Sequence, residues 1–309
     1  MKMRLFLMGL ALAGMTGTAC ADEVDLKYKV AHKYLVETKQ TITVTVEQAF
    51  KQDAILVVGE GVGKKGTSGA QKRLTAITAA KVKAQRTLAE MLHGVAVVSE
   101  TTVQDSELAS DEIKTVVAGF IRGAQVVVQE WNAADETALV ILKVGMTGPR
   151  SFAAVMYEKI LTEPKLQQEL EKPAYVPPVE QPTVAVPTVP VVPAAVVPHD
   201  GLIIDATDYS FRPALINRIF NPKGEVLYDP AKISQKVLVE QGCGEYTNSV
   251  DKARAALGKR GVKNPLIVKA SGTVSASDLQ VSDEVALQIF GANQASGFMA
   301  DARVAFVLK

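Results

Sequence analysis

The sequence predicts two small α+β domains joined by a proline-rich spacer, after a signal peptide. Three observations carry this. A long amphipathic helix pattern, Gln71 to Leu92, sits between strand-like runs on either side. Eight prolines then crowd into Pro173–Pro198, and a second set of strand and helix patterns begins at Asp200. The first residues read as an export signal. The resulting partition is 1–21 signal peptide, 22–162 N-terminal domain, 163–199 linker and 200–309 C-terminal domain.

The export signal has a positive start at Lys2 and Arg4 and a short apolar run from Leu5 to Ala13. Largely small residues, Gly14 to Ala21, lead to the charged Asp22-Glu23. The run is far short of the ~20 residues a spanning helix needs. Two processing outcomes compete. Ala19-Cys20-Ala21 fits an A-x-A site that releases a soluble chain at Asp22. Alternatively Cys20 becomes the lipidated first residue, and lipid there is the only expected tie to a membrane. Gly17 stands where lipoprotein signals usually carry Leu, which favours the first outcome. The other cysteine, Cys243, then has no intramolecular partner. It is expected to be a buried thiol; pairing between chains in an oxidising compartment is the alternative.

The N-terminal domain opens with a helix over Tyr28–Glu37 and a strand-like alternation over Thr41–Val46. Ala54–Gly59 is a clearer strand. Gly61-Val-Gly63-Lys-Lys-Gly66 then matches G-x-G-x-x-G. The following helix starts too late for a dinucleotide site, and the acidic residue expected about 20 residues on is missing. A mobile glycine-lysine loop is expected there, and no cofactor. In the long helix Leu74, Ile77, Ala80, Ala84, Leu88 and Met91 recur at steps of three and four, one face of an α-helix. Small Ala80 and Ala84 permit a close approach to a sheet. Gly94 stops the helix. A strand over Val95–Val103 follows, then a helix from Asp111 to Ile121 capped by Ser110. Ala124–Glu130 and Thr137–Val144 form an antiparallel ribbon.

The prolines from Pro173 lack amide donors and have fixed φ, which excludes helix and sheet interior. A polyproline II rod to Pro198 would span roughly 80 Å at ~3.1 Å per residue. Few contacts should cross such a spacer, so the two domains are expected to fold independently. Beyond it, strands are predicted at Leu202–Ala206, Ala214–Phe220, Val226–Tyr228, Leu266–Ala270 and Arg303–Leu308. Helices are predicted over Val250–Leu257 and from Ser282 through Phe290.

No catalytic, cofactor or metal constellation emerges. His32, His93 and His199 lack metal-ligand spacing. Asp205 and Asp208, with Arg212 nearby, are the best acid pair, able in principle to do acid/base work or hold a hard cation. Such pairs more often cap turns. A net charge of +1 gives no electrostatic reason to expect nucleic acid.

Ala79-Ala80, Ala84, Arg86 and Leu88-Ala-Glu90, with Val117 and Gly119-Phe-Ile-Arg-Gly123, resemble the Lpp-twenty type bacterial lipoprotein family. Domains of flagellar accessory proteins P and T are similar. The resemblance covers residues 56–144. Gly201–Ala206, Arg212-Pro-Ala214, Gly224–Tyr228 and Asn264–Ala270 resemble the extension of longer family members. In the Gly-Phe-Ile-Arg-Gly block, Gly119 and Gly123 are expected to take positive φ at a helix exit, with Phe120 and Ile121 in the core.

The resemblance implies a non-enzymatic exported envelope protein with a structural or assembly role in the periplasm or at the outer membrane. Its partners would be other envelope proteins, flagellar basal-body components or a second copy. The alternative is a periplasmic protein binding a small molecule or glycan. A hydrolase using Asp205 and Asp208 is weaker. The ribbon strand supplies the candidate interface, Val126, Val128 and Trp131, because an edge strand offers unpaired backbone groups.

Overall fold

The computed structural model describes residues 27–162, 164, 167 and 198–309. The signal segment 1–21, with Cys20, and the proline run 173–197 lie outside the described residues.

The N-terminal half runs α1 (Lys29–Thr38), α2 (Val46–Lys51), β1 (Ala54–Val62), α3 (Gly69–His93), β2 (Ala96–Val98), β3 (Thr101–Thr102), α4 (Val103–Ala109), α5 (Asp111–Gly123), β4 (Gln125–Asn132), β5 (Thr137–Gly145) and α6 (Phe152–Ile160). Strands β1, β5 and β4 form an antiparallel sheet in that order. Strand alternation then divides the side chains. Ile55, Val57, Val140 and Leu142 join the main core with α3. Ala54, Leu56, Leu139 and Ile141 pack under α1 with Ala31 and Leu35.

Helix α3 lies on β1 at backbone distance. A Cβ at Gly59 would stand 2.1 Å from the Ala80 carbonyl oxygen and 2.5 Å from the Ala84 nitrogen. One at Gly61 would stand 2.2 Å from the Ala76 oxygen. Glycine on alternate strand positions thus faces alanine on successive helical turns. Leu88 and Leu92 extend the buried stripe, whereas Leu74 is 64% exposed, contrary to the periodicity. Leu74 stands about 200° round the helix from Ala76, at about 100° per residue, so it faces away from β1.

The C-terminal half runs β6 (Gly201–Asp205), β7 (Ala214–Ile216), β8 (Ile219–Phe220), β9 (Val226–Tyr228), α7 (Gln235–Gln241), β10 (Glu245–Thr247), α8 (Val250–Lys259), β11 (Pro265–Lys269), β12 (Gly272–Ser275), β13 (Asp278–Gln280), α9 (Asp283–Ser296) and β14 (Val304–Val307). A four-stranded sheet, β10-β14-β6-β11, is parallel throughout. Parallel sheets need cover on both faces. Ile203, Ala305 and Val307 lie under α8 with Ala253 and Leu257, and Leu202, Ile204, Val304 and Phe306 enter the main core. A second sheet, β12-β13-β8-β9, is mixed.

The halves are not independent, which corrects the reading drawn from the spacer. Strand β7 pairs in parallel with β2, Ala96 opposite Ala214 and Val98 opposite Ile216, completing the sheet β3-β2-β7. The main core is continuous from Leu88 and Phe152 to Leu215 and Phe306. Phe50 meets the Tyr246 ring edge-on at 5.1 Å. A spacer's composition reports the spacer alone. Short strands with open edges and wholly buried Leu215 and Ile216 require a partner surface.

Local chemistry explains other departures. Thr41–Val46 forms no strand element. Thr43 bonds across to Leu56, and Thr45 and Gln48 form a capping box that starts α2. Val95–Val103 breaks at Ser99, whose φ is 51°, and Thr102 with Asp105 caps the unanticipated α4. Ala214–Phe220 splits around the buried Asn217-Arg218. Helices α6 and α7 were also not evident in the periodicity.

Gly59→Ala or Gly61→Ala should cost more than about 3 kcal/mol, since backbone must move to admit a methyl. Gly258→Ala, in α8 with open space around it, should stabilise by about 0.5–1 kcal/mol. Urea unfolding of the full chain measures both. Residues 27–162 and 198–309 made as separate chains should reassociate, and each alone should melt lower than the pair. Unchanged melting of the isolated halves would show that the shared sheet contributes nothing.

Candidate functional site

Strand β4 is the terminal strand of its sheet, as the ribbon reading requires, but its three candidate residues part company. A bulge falls between Val126 and Val128, so Val126 sits opposite Leu142 and Val128 opposite Ile141. The inserted residue moves the two valines to opposite faces. Val126 is 39% exposed, whereas Val128 is 3% exposed beneath α1. Trp131 is half-buried against the main core and is not a free anchor. Val128 and Trp131 therefore leave the candidate interface. Glu130 is also committed: its carboxylate accepts from the Val30 and Ala31 amides at 2.9 and 3.1 Å, satisfying open donors at the start of α1.

The glycine motif is split between packing and loop. Gly61 belongs to β1 opposite Ala138, and a Cβ at Gly63 would strike the Lys72 side chain at 2.3 Å. Lys72 pairs with Glu136 at 2.5 Å. Beyond Val62 the motif is loop from Gly63 to Gly66, with Lys64 and Lys65 exposed.

Asp205 and Asp208 do not act as a pair. Asp205 accepts from the Thr207 hydroxyl at 2.7 Å and the Thr207 amide at 3.0 Å. The hydroxyl bond leads in holding this carboxyl below the usual aspartate range. Asp208 is exposed and faces Lys269 at 3.5 Å, not Arg212. His93 contacts Glu107 at 3.3 Å, and His199 Nδ1 lies 3.2 Å from the Asn264 carbonyl oxygen. His32 Nδ1 is buried without a hydrogen-bond partner. Among the described residues no group of three or more His, Cys, Asp or Glu could hold a metal ion.

The richest chemistry lies at the junction of the halves. The turn Gly242-Cys243-Gly244 lies against the N-terminal half, where a Cβ on Gly242 would meet the Thr147 methyl at 3.2 Å. Cys243 Sγ lies 3.0 Å from the Tyr246 hydroxyl, which donates to the Ala214 oxygen and to Asn217 Oδ1. Tyr228 donates to the Cys243 oxygen, and Tyr157 to the Leu215 oxygen at 2.8 Å. Burial pushes all three phenols well up and raises the thiol, so these groups stay protonated. This matches the buried-thiol reading of Cys243; a thiol 2% exposed is not placed to bridge two chains.

Beside it, Arg218 and Asp278 form an ion pair at 2.9 Å with side chains 3% and 0% exposed. Ser99 of the N-terminal half donates to Asp278 at 2.7 Å and accepts from Arg218 at 2.6 Å. Sequence reasoning missed this cluster. Its signal was the polar doublet Asn217-Arg218 inside an otherwise apolar run.

An open cleft of about 400 Å³ lies over this junction, lined by Phe50, Gln52, Thr147, Tyr246, Thr247 and Lys259 among others. Three charged groups in its lining already have partners. Asp53 accepts from the Thr147 amide and hydroxyl, and Glu245 pairs with Arg260 at 2.7 Å. Arg260 also donates to the Ala302 and Gln241 carbonyl oxygens. These polar groups are paired within each half, Asp53 with Thr147 in the first and Glu245 with Arg260 in the second.

Asp278→Ala should destabilise the chain by about 3–5 kcal/mol, because it strands a buried guanidinium. Ser99→Ala should cost about 1–2 kcal/mol by removing one bridge. Chemical denaturation at neutral pH separates the two.

No curated protein matches the chain. Among the described residues no helix is long and apolar enough to cross a membrane. A family model does match the C-terminal half: residues 201–309 are similar to the second domain of Treponema pallidum Tp0624.

Proposed function

We propose that the chain is a non-enzymatic envelope protein, exported from the cytoplasm, with a structural or assembly role in the periplasm or at the outer membrane. The resemblance of residues 56–144 to Lpp-twenty type lipoproteins and to domains of flagellar accessory proteins supports the flagellar basal body as the specific version of this reading. One observation carries the assembly reading: β4 ends its sheet as an eight-residue strand with Val126 and Gln129 exposed. Terminal strands offer backbone donors and acceptors to another chain. The cleft favours a ligand less, because its acids and Arg260 already have partners within their own halves. Its Phe50 and Tyr246 rings, next to Gln52 and Thr147, support the second reading, a small molecule or glycan bound there.

Pulldown of the tagged full-length chain from its own cells separates the readings. Flagellar or other envelope proteins are expected; recovery of none, with melting raised by periplasmic sugars, would replace assembly with ligand binding. Val126→Lys should weaken assembly at least tenfold by sedimentation or pulldown, while Lys64→Ala and Lys65→Ala should change it less than twofold. Loss of assembly in the loop variants would mean that the loop, not the edge, is the contact.

A further inference from the structure

The Gly119-Phe-Ile-Arg-Gly123 block, read from sequence as a fold determinant, has a different place in the structure. Neither glycine takes positive φ, and both lie within α5. A Cβ at either would meet nothing within 4 Å. Glycine in a helix costs about 1 kcal/mol relative to alanine. Here it relieves no clash and serves no turn. What it does is leave one side of α5 bare. An open groove of about 470 Å³ runs beside that side, between α5, the start of β4, the end of β5 and α6. Val116, Phe120, Val144 and Val155 supply its apolar surface. Phe120 is held by an edge-on contact with the buried Phe152 at 5.3 Å.

The charges in the groove have one sign. Lys143 and Arg150 line it, and no carboxylate does. Lys143 donates to Gln40 at 3.2 Å. Arg150 is exposed and forms no ion pair among the described residues. Gln125, the first residue of the open strand β4, also lines the groove. An occupant leaving the groove would therefore run onto the free edge of β4.

We propose that this groove docks an extended segment of a partner protein, apolar where it lies over Phe120 and the bare face of α5, and carrying a carboxylate that pairs with Arg150. The adjoining edge selects a peptide over a lipid chain, because only a peptide can use the unpaired backbone groups of β4. The inference rests on the assembly reading and gives that assembly a contact site.

The test is affinity selection of a pooled library of ten-residue peptides on the immobilised full chain, followed by titration of the enriched peptides. Enrichment of apolar peptides bearing Asp or Glu is expected. Their affinity should fall at least tenfold for Gly119→Leu, which fills the groove, and for Arg150→Glu, which reverses its charge. Leucine favours the helix more than glycine does, so the first variant should fold; melting of both variants checks this. The second variant alters only an exposed loop side chain. Absence of enrichment, enrichment of basic peptides, or binding indifferent to both variants would overturn the proposal. So would displacement of the selected peptides by dodecanoate with no effect of Val126→Lys, which would assign the groove to a lipid chain. If the Gly119→Leu chain still recovers its partners from cells, the groove is wrong and the assembly reading stands.

Discussion

The contact of β1 with α3 is the constraint on which the N-terminal half depends. Backbone meets backbone there, with Gly59 and Gly61 against Ala76, Ala80 and Ala84. Such contact tolerates almost no error. One methyl group on the strand must displace a helical carbonyl, whereas a misfit between two long side chains can relax through rotamers. The interaction therefore fixes the depth and register of a 25-residue helix along its strand. At about 1.5 Å per residue, that helix carries the register nearly 40 Å from its first turn to its last.

What lies at the end of the helix explains why that register matters. Gly94 and Val95 turn the chain directly into β2, and β2 is the strand that receives β7 from the other half. Ser99 follows in left-handed backbone and reaches the Arg218–Asp278 pair. A buried ion pair contributes little net stability unless its remaining hydrogen-bonding capacity is met. Ser99 and Ser275 both donate to Asp278 Oδ2, at 2.7 and 2.9 Å. Registry in the first half thus sets whether a charged group buried in the second is satisfied. The alignment of the two halves is specified by polar geometry, while the continuous apolar core supplies the bulk of the burial.

Elements whose signal is local were legible in the sequence. The long helix, the ribbon, the strands at Leu202 and Val304 and the Ser282 cap all follow from periodicity or capping chemistry. The alanines at positions 80 and 84 correctly announced close packing on a sheet. Of their counterparts, Gly61 was hidden in a motif with a better-known use, and Gly59 passed as the end of a strand. Failures came where the decisive partner is distant in sequence. Nothing near Ala214 shows that its strand pairs with Ala96, and no local pattern marks Asp278 as the partner of Arg218. The bulge in β4 reversed an inference from simple alternation at Val128. The three tyrosines around Cys243 come from separate elements and converge only in the folded chain.

Strand β7 also bears on how such a unit could be inherited. Its residues Ala214 to Ile216 are wholly buried, and the neighbour that covers them is contributed from outside residues 201–309. A stretch of sequence recognisable by itself is therefore not a self-sufficient object. Any protein into which this unit is transplanted must offer a short strand equivalent to Ala96–Val98, or redesign the exposed seam with charge or proline. The natural piece for recombination is the C-terminal unit together with its host strand, so the boundary visible in sequence and the boundary of physical exchange do not coincide.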